Sequence, residues 1–89
     1  MTLNAEKVWQ RILSCEGSDF FQIRGKRFSY EVTGDYLDLD TTNQKIPKKH
    51  IFEALNLVPL ENTVPVHHLR APSYIYAILS DERIRKKDW

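Results

Sequence analysis

Cysteine is nearly missing from this chain: Cys15 stands alone, which excludes an internal disulfide framework and suits a reducing compartment. Long apolar runs are missing too. No stretch approaches the roughly 20 apolar residues that cross a bilayer, and the opening MTLNAEKVWQRIL has neither an extended apolar core nor a small-residue cleavage site. A cytoplasmic protein with no membrane partner is expected. Glycine is scarce, three in 89 residues, so each one marks a candidate turn. No repeat or low-complexity tract divides the chain. Strong net charge is absent as well, at +1, too little by itself to announce a nucleic-acid partner.

What is present is an ordinary globular composition, 42% hydrophobic and 28% charged, read as one domain over residues 1–89. A domain of this size buries only a little over about 60% of its unfolded surface, so its stability margin is thin. The charge is unevenly spread. Residues 1–44 hold five Lys/Arg against seven Asp/Glu, and residues 45–89 hold eight against five.

Ala5, Val8, Ile12 and Cys15 recur at helical spacing with Trp9 beside them, predicting a helix over about 4–16 that Asn4 caps and Gly17 closes. Next, FFQIRGKRFSYEVTGDYLDLDT reads as strands over about 19–24, 27–33 and 36–41, joined at Gly25-Lys26 and Gly34-Asp35, pairs that favour type II′ turns. Two-residue loops there put Thr33 opposite Tyr36, Glu31 opposite Asp38, Ile23 opposite Phe28 and Arg24 opposite Arg27. Phe21, Ile23, Phe28, Tyr30, Val32, Leu37 and Leu39 then share one face, with Phe20 and Tyr36 on the polar one. After a polar turn, DTTNQK, a helix is expected over about 47–58. An extended connector follows, then a last helix over about 72–86. The order α-β-β-β-α-α implies an α+β domain, a three-stranded antiparallel meander with helices packed on one face.

Several motifs are read and set aside. DLDTT, residues 38–42, matches by letters the aspartyl-phosphate pattern of haloacid-dehalogenase phosphotransferases, but that chemistry needs a much larger parallel α/β sheet. As a calcium loop it lacks the turn glycine and the bidentate Glu. Cys15 lies on an apolar stripe, as a small hydrophobe does. His67 and His68 are adjacent in an extended segment and point apart, so with His50 they make no metal set. No cofactor and no metal is called for. Glu31 opposite Asp38 is the one paired-carboxylate candidate for catalysis, and it needs a pocket to desolvate it.

The helix opening IPKKH is the local anomaly. Lys48, Lys49 and His50 stand in a first turn where the helix dipole already presents its positive end, at about 0.3–1 kcal/mol for each cation. A helix, a three-stranded meander and a helix opening with paired lysines resemble the layout of double-stranded-RNA-binding domains, whose second helix offers lysines to phosphates. That family's Gly-Pro-x-His loop has no counterpart here, and the last helix is additional. The first expectation is therefore a non-enzymatic module that contacts nucleic-acid phosphates through Lys45, Lys48, Lys49 and His50. Arg70, Arg83, Arg85, Lys86 and Lys87 form a second basic group. The alternative is a protein-interaction or homodimerisation domain using the aromatics Phe20, Tyr36 and Trp89. A small enzyme built on Glu31 and Asp38 comes third.

Overall fold

The computed structural model describes residues 4–89; residues 1–3, part of the segment read for a leader, lie outside it. Helix α1, Ala5–Ser14, starts where expected, the Asn4 side chain accepting the Lys7 N–H at 3.2 Å. It is followed by β1 (Phe20–Phe21), β2 (Arg27–Phe28), β3 (Tyr30–Thr33), β4 (Tyr36–Leu39) and β5 (Lys45–Pro47). Helix α2 (Lys48–Leu55), a 3-10 turn (Val64–Val66) and helices α3 (Pro72–Ser80) and α4 (Glu82–Arg85) complete the order. A three-stranded antiparallel sheet, β3-β4-β5, with a separate β1-β2 ladder and four helices among the described residues, makes this a small compact α+β domain.

Turn chemistry fixes the central hairpin. Gly34 takes φ 60, the positive value that the first position of a type II′ turn requires, and the register follows: Thr33 opposite Tyr36, Val32 opposite Leu37, Glu31 opposite Asp38, Tyr30 opposite Leu39. Phe28, Tyr30, Leu37, Leu39 and Ile46 thereby turn inward, against Val8, Trp9 and Ile12 of α1, Ile51 and Leu55 of α2, Ile75 and Ile78 of α3, and Ile84 of α4. The buried Tyr30 hydroxyl donates to the Ile12 carbonyl at 2.6 Å, and burial pushes its phenol above the ordinary range.

The first hairpin departs from expectation. Phe28 faces Phe20, not Ile23, and Arg27 faces Phe21, not Arg24. Residues 22–26 form the loop, folded on itself by Gln22 N–H to Lys26 carbonyl (3.0 Å) and Gly25 N–H to Gln22 carbonyl (2.8 Å). Exchanging odd for even positions flips the strand's faces. Phe20 becomes fully buried, with Phe28 and Tyr30 at ring-centroid distances of 5.8 and 5.3 Å, while Phe21 and Ile23 stand 59% and 68% exposed. Three packed rings outweigh the turn preference of a Gly-Lys pair. The long second strand is also broken at Ser29, whose N–H and carbonyl both go to Asp40, at 2.8 and 3.0 Å. Arg27 reaches Asp40 at 3.1 Å and Asp19 at 2.8 Å.

Two more elements differ. The polar turn leads into β5, because Ile46 opposite Leu37 is fully buried. The last helix divides at Asp81, which turns extended (ψ 136) and accepts the Arg83 N–H at 2.9 Å as the cap of α4. Among the described residues no helix is long and apolar enough to cross a membrane.

Candidate nucleic-acid interface

Pairing of β4 with β5 puts Tyr36 opposite Pro47 and Asp38 opposite Lys45 on the outer face of the sheet, with Leu37 and Ile46 turned inward between them. Strand β5 then runs straight into α2. Pro47 takes φ −67 and ψ 145 and ends the strand, and the Lys48 N–H closes the corner on the Asp35 carbonyl at 2.7 Å.

The two lysines at that corner have different surroundings. Lys48 folds back: its ammonium lies 3.5 Å from Glu6, 5.5 Å from the Trp9 ring centre and 5.2 Å from that of Phe52. Carboxylate and π faces offset the dipole penalty, so Lys48 ties α2 to α1. Asp38, Asp40 and Glu53 do not pair with it. Lys49 is exposed, with no ion-pair partner among the described residues.

A third wall comes from far along the chain. Leu69 and Ala71 are buried and Arg70 between them is exposed. The Arg70 N–H donates to His50 Nδ1 at 3.0 Å, so His50 carries its ring proton on Nε2 and locks this segment to the start of α2. Arg70 pairs with neither Asp81 nor Glu61, and no acid bonds its guanidinium among the described residues.

These elements enclose a groove of about 440 Å³ lined by Tyr36, Asn43, Lys45, Pro47, Lys49, His50 and Arg70. No carboxylate lines it. Asp38 is the nearest compensation, 3.5 Å from the Lys45 ammonium and also bonded to the Thr33 hydroxyl at 2.8 Å. A cleft of about 390 Å³ shares Tyr36, Pro47 and Lys49 and extends to Asp35, Lys48 and Phe52. Another, of about 520 Å³, shares Lys49 and His50 and extends to Glu53 and Asn56.

Apart from Arg70, the second basic group does not join this groove. Arg83 bonds Asp81 at 2.9 Å and the Asp19 carbonyl at 2.7 Å, and its guanidinium stacks 4.4 Å from the Phe20 ring centre. The hydrogen-bonded guanidinium holds the Asp81 carboxyl below the usual range. Arg85 donates through Nε to the Trp89 carbonyl. Lys86 and Lys87 are exposed at positive φ, 45 and 64.

Of the aromatics read as outward, Tyr36 is 48% exposed, whereas Phe20 is buried and Trp89 packs partly on the core, its indole N–H on the Leu79 carbonyl at 3.2 Å. Burial of Phe20 follows from the register change, and Trp89 finds a carbonyl for its polar edge. Phe21 and Ile23 replace them outside, next to a cleft of about 250 Å³ bordered by Tyr76 and Ala77. Glu31 and Asp38 do face each other, but neither lines the four clefts described. Cys15 is half-buried against the core, and His68 meets Glu53 at 3.9 Å. Among the described residues no cluster of three or more His, Cys, Asp or Glu is placed to hold a metal ion. Sequence reasoning missed Asn43 and the meeting of Tyr36 with Arg70. The signal for the first was Ile46, a lone large apolar side chain between Lys45 and Pro47.

No protein-family model matches this chain, no curated protein is detectably similar to it in sequence, and no solved structure is detectably similar to it in fold.

Proposed function

We propose that the domain is a non-enzymatic binding module that holds nucleic-acid phosphates in the groove between β4, β5, the start of α2 and Arg70. One observation carries the reading: Lys45, Lys49 and Arg70 converge there with no carboxylate in the lining. Several cations elsewhere are matched to acids, as at Arg11 with Asp88, Arg27 with Asp19 and Asp40, Lys48 with Glu6, and Arg83 with Asp81; Arg24, Lys26, Lys86 and Lys87 are not, but none of them lines the four clefts described. Assembling three cations with one neighbouring acid costs self-repulsion that a bound polyanion removes. Fluorescence anisotropy with a labelled oligonucleotide tests this. Affinity is expected to fall steeply with salt, as counterion release from about three phosphates requires. The double variant Lys49→Glu with Arg70→Glu is expected to lose binding at least about tenfold, since each removes a cation and adds an acid. Salt-independent binding, or none at low salt, contradicts the reading.

Contact with another protein is a second reading, favoured by the exposure of Phe21 and Ile23 side by side on the first hairpin. Sedimentation of the domain over a wide concentration range, with Phe21→Ser and Ile23→Ser together as control, tests its self-associating form. A monomer throughout removes that form.

A further inference from the structure

We infer that the nucleic acid taken by this groove is single-stranded, with Tyr36 as the platform on which a base stacks; this rests on the phosphate-binding reading above. Three observations lead there. The first is that the Tyr36 ring is unoccupied. The faces of Trp9 and Phe52 are taken by Lys48, and that of Phe20 by Arg83. Tyr36, 48% exposed, has no stacked ring, no cation over it and no bonded hydroxyl among the described residues.

The second is position. Tyr36 lines both the groove of about 440 Å³ holding Lys45 and Arg70 and the neighbouring cleft of about 390 Å³, and Lys49 is common to the two. A base over the ring would therefore have Lys45, Lys49 and Arg70 for a flanking phosphate on the groove side, the combination of ring and cations by which single strands are held with little sequence preference, while Asp35 lines the cleft beside Lys48.

The third is what surrounds the groove. Glu31 and Asp38 are cross-strand partners, and Asp38 pairs in turn with Lys45 in the register that puts Tyr36 opposite Pro47. The outer face of the sheet beyond the groove is thus acidic and repels a second phosphate backbone. In a duplex the bases are also paired away from any ring on the protein surface. The footprint accepts one backbone and one unstacked base, and penalises two backbones.

The experiment compares four probes by anisotropy or competition at fixed low salt: a single-stranded oligopyrimidine of roughly ten nucleotides, an abasic strand of the same length, a blunt duplex of the same length, and the pyrimidine mononucleotide. The intact strand is expected to bind tightest, and Tyr36→Ala to weaken it roughly fivefold or more while Tyr36→Trp retains it. Tyr36→Ala is expected to leave the abasic strand unaffected. Equal binding of abasic and intact strands, or of duplex and single strand, overturns the stacking inference and leaves phosphate binding standing. A mononucleotide that competes as well as the strand overturns the assignment to a strand. No binding of any probe overturns both proposals. Thermal melts of the variants separate loss of contact from loss of fold.

Discussion

In the C-terminal basic region the arginines serve the fold: Arg83 bonds Asp81 and the Asp19 carbonyl and covers Phe20, and Arg85 holds the Trp89 carbonyl. In the groove, Lys49 and Arg70 reach solvent with no acid on them among the described residues, although their backbone is fixed as firmly, by β5 running into α2 and by the His50 bond. Similar formal charge therefore stands in two settings, and what separates them is whether a carboxylate or carbonyl lies within reach. Adjacent residues show the same division. Lys48 is inside an ion pair and two cation–π contacts while Lys49 is outside; Phe20 is fully buried while Phe21 is 59% exposed.

The largest expected effect breaks that last pair. Phe20→Ala should cost about 3–5 kcal/mol, the usual range for emptying a buried phenylalanine site, and also removes the surface on which Arg83 lies. Phe21→Ala should stay within about 0.5 kcal/mol. Urea denaturation of the two variants checks the register of the first hairpin, since a larger loss for Phe21→Ala than for Phe20→Ala would mean that the strand presents its other face.

Next comes the contrast between arginines. Arg83→Ala should destabilise by about 1–2 kcal/mol, because a charged hydrogen bond and a stacked guanidinium are lost at a partly solvated site. Arg70→Ala should change stability by less than about 0.5 kcal/mol, its backbone N–H still reaching His50. The lysine pair repeats the contrast at smaller scale. Lys48→Ala is expected to cost about 1 kcal/mol from the π contacts and an exposed ion pair, and Lys49→Ala close to nothing by the same denaturation assay.

The smallest effect is on acid stability. Ser29 N–H and Arg27 hold the Asp40 carboxyl below its ordinary range, and Arg83 does the same for Asp81. Folded-state values depressed in this way contribute stability that is present above the ordinary carboxylate value near 4 and is lost as pH falls through the lower folded values. Melting temperatures should therefore drop below about pH 4, and Asp40→Asn or Asp81→Asn should flatten the profile from its lower starting point. An unchanged slope in both variants would show that these pairs do not couple to folding.

Much of the fold is legible in the chain where local chemistry and burial agree. Asn4, the apolar stripe of α1 and Gly34 all point the same way, and the central hairpin follows to the residue. The Gly25-Lys26 corner misleads because the stacking of Phe20 on Phe28 and Tyr30, a tertiary term, overrides a preference worth less. Strand β5 is hidden because three residues are too few to show alternation. The basic residues of the site are legible as letters, but their sorting is not. Nothing local says that Glu6 reaches Lys48, or that Arg70 bonds His50 across 20 positions of sequence and so lines the same groove as Tyr36.

The most direct test of the groove is an amide-resolved NMR titration of the domain with the single-stranded oligopyrimidine at low salt. Shifts are predicted to concentrate at Tyr36, Asn43, Lys45, Lys49, His50 and Arg70, to fade as salt is raised, and to leave residues 83–87 nearly unmoved. Shifts centred on Arg83 to Lys87 instead, with the groove silent, would contradict the account.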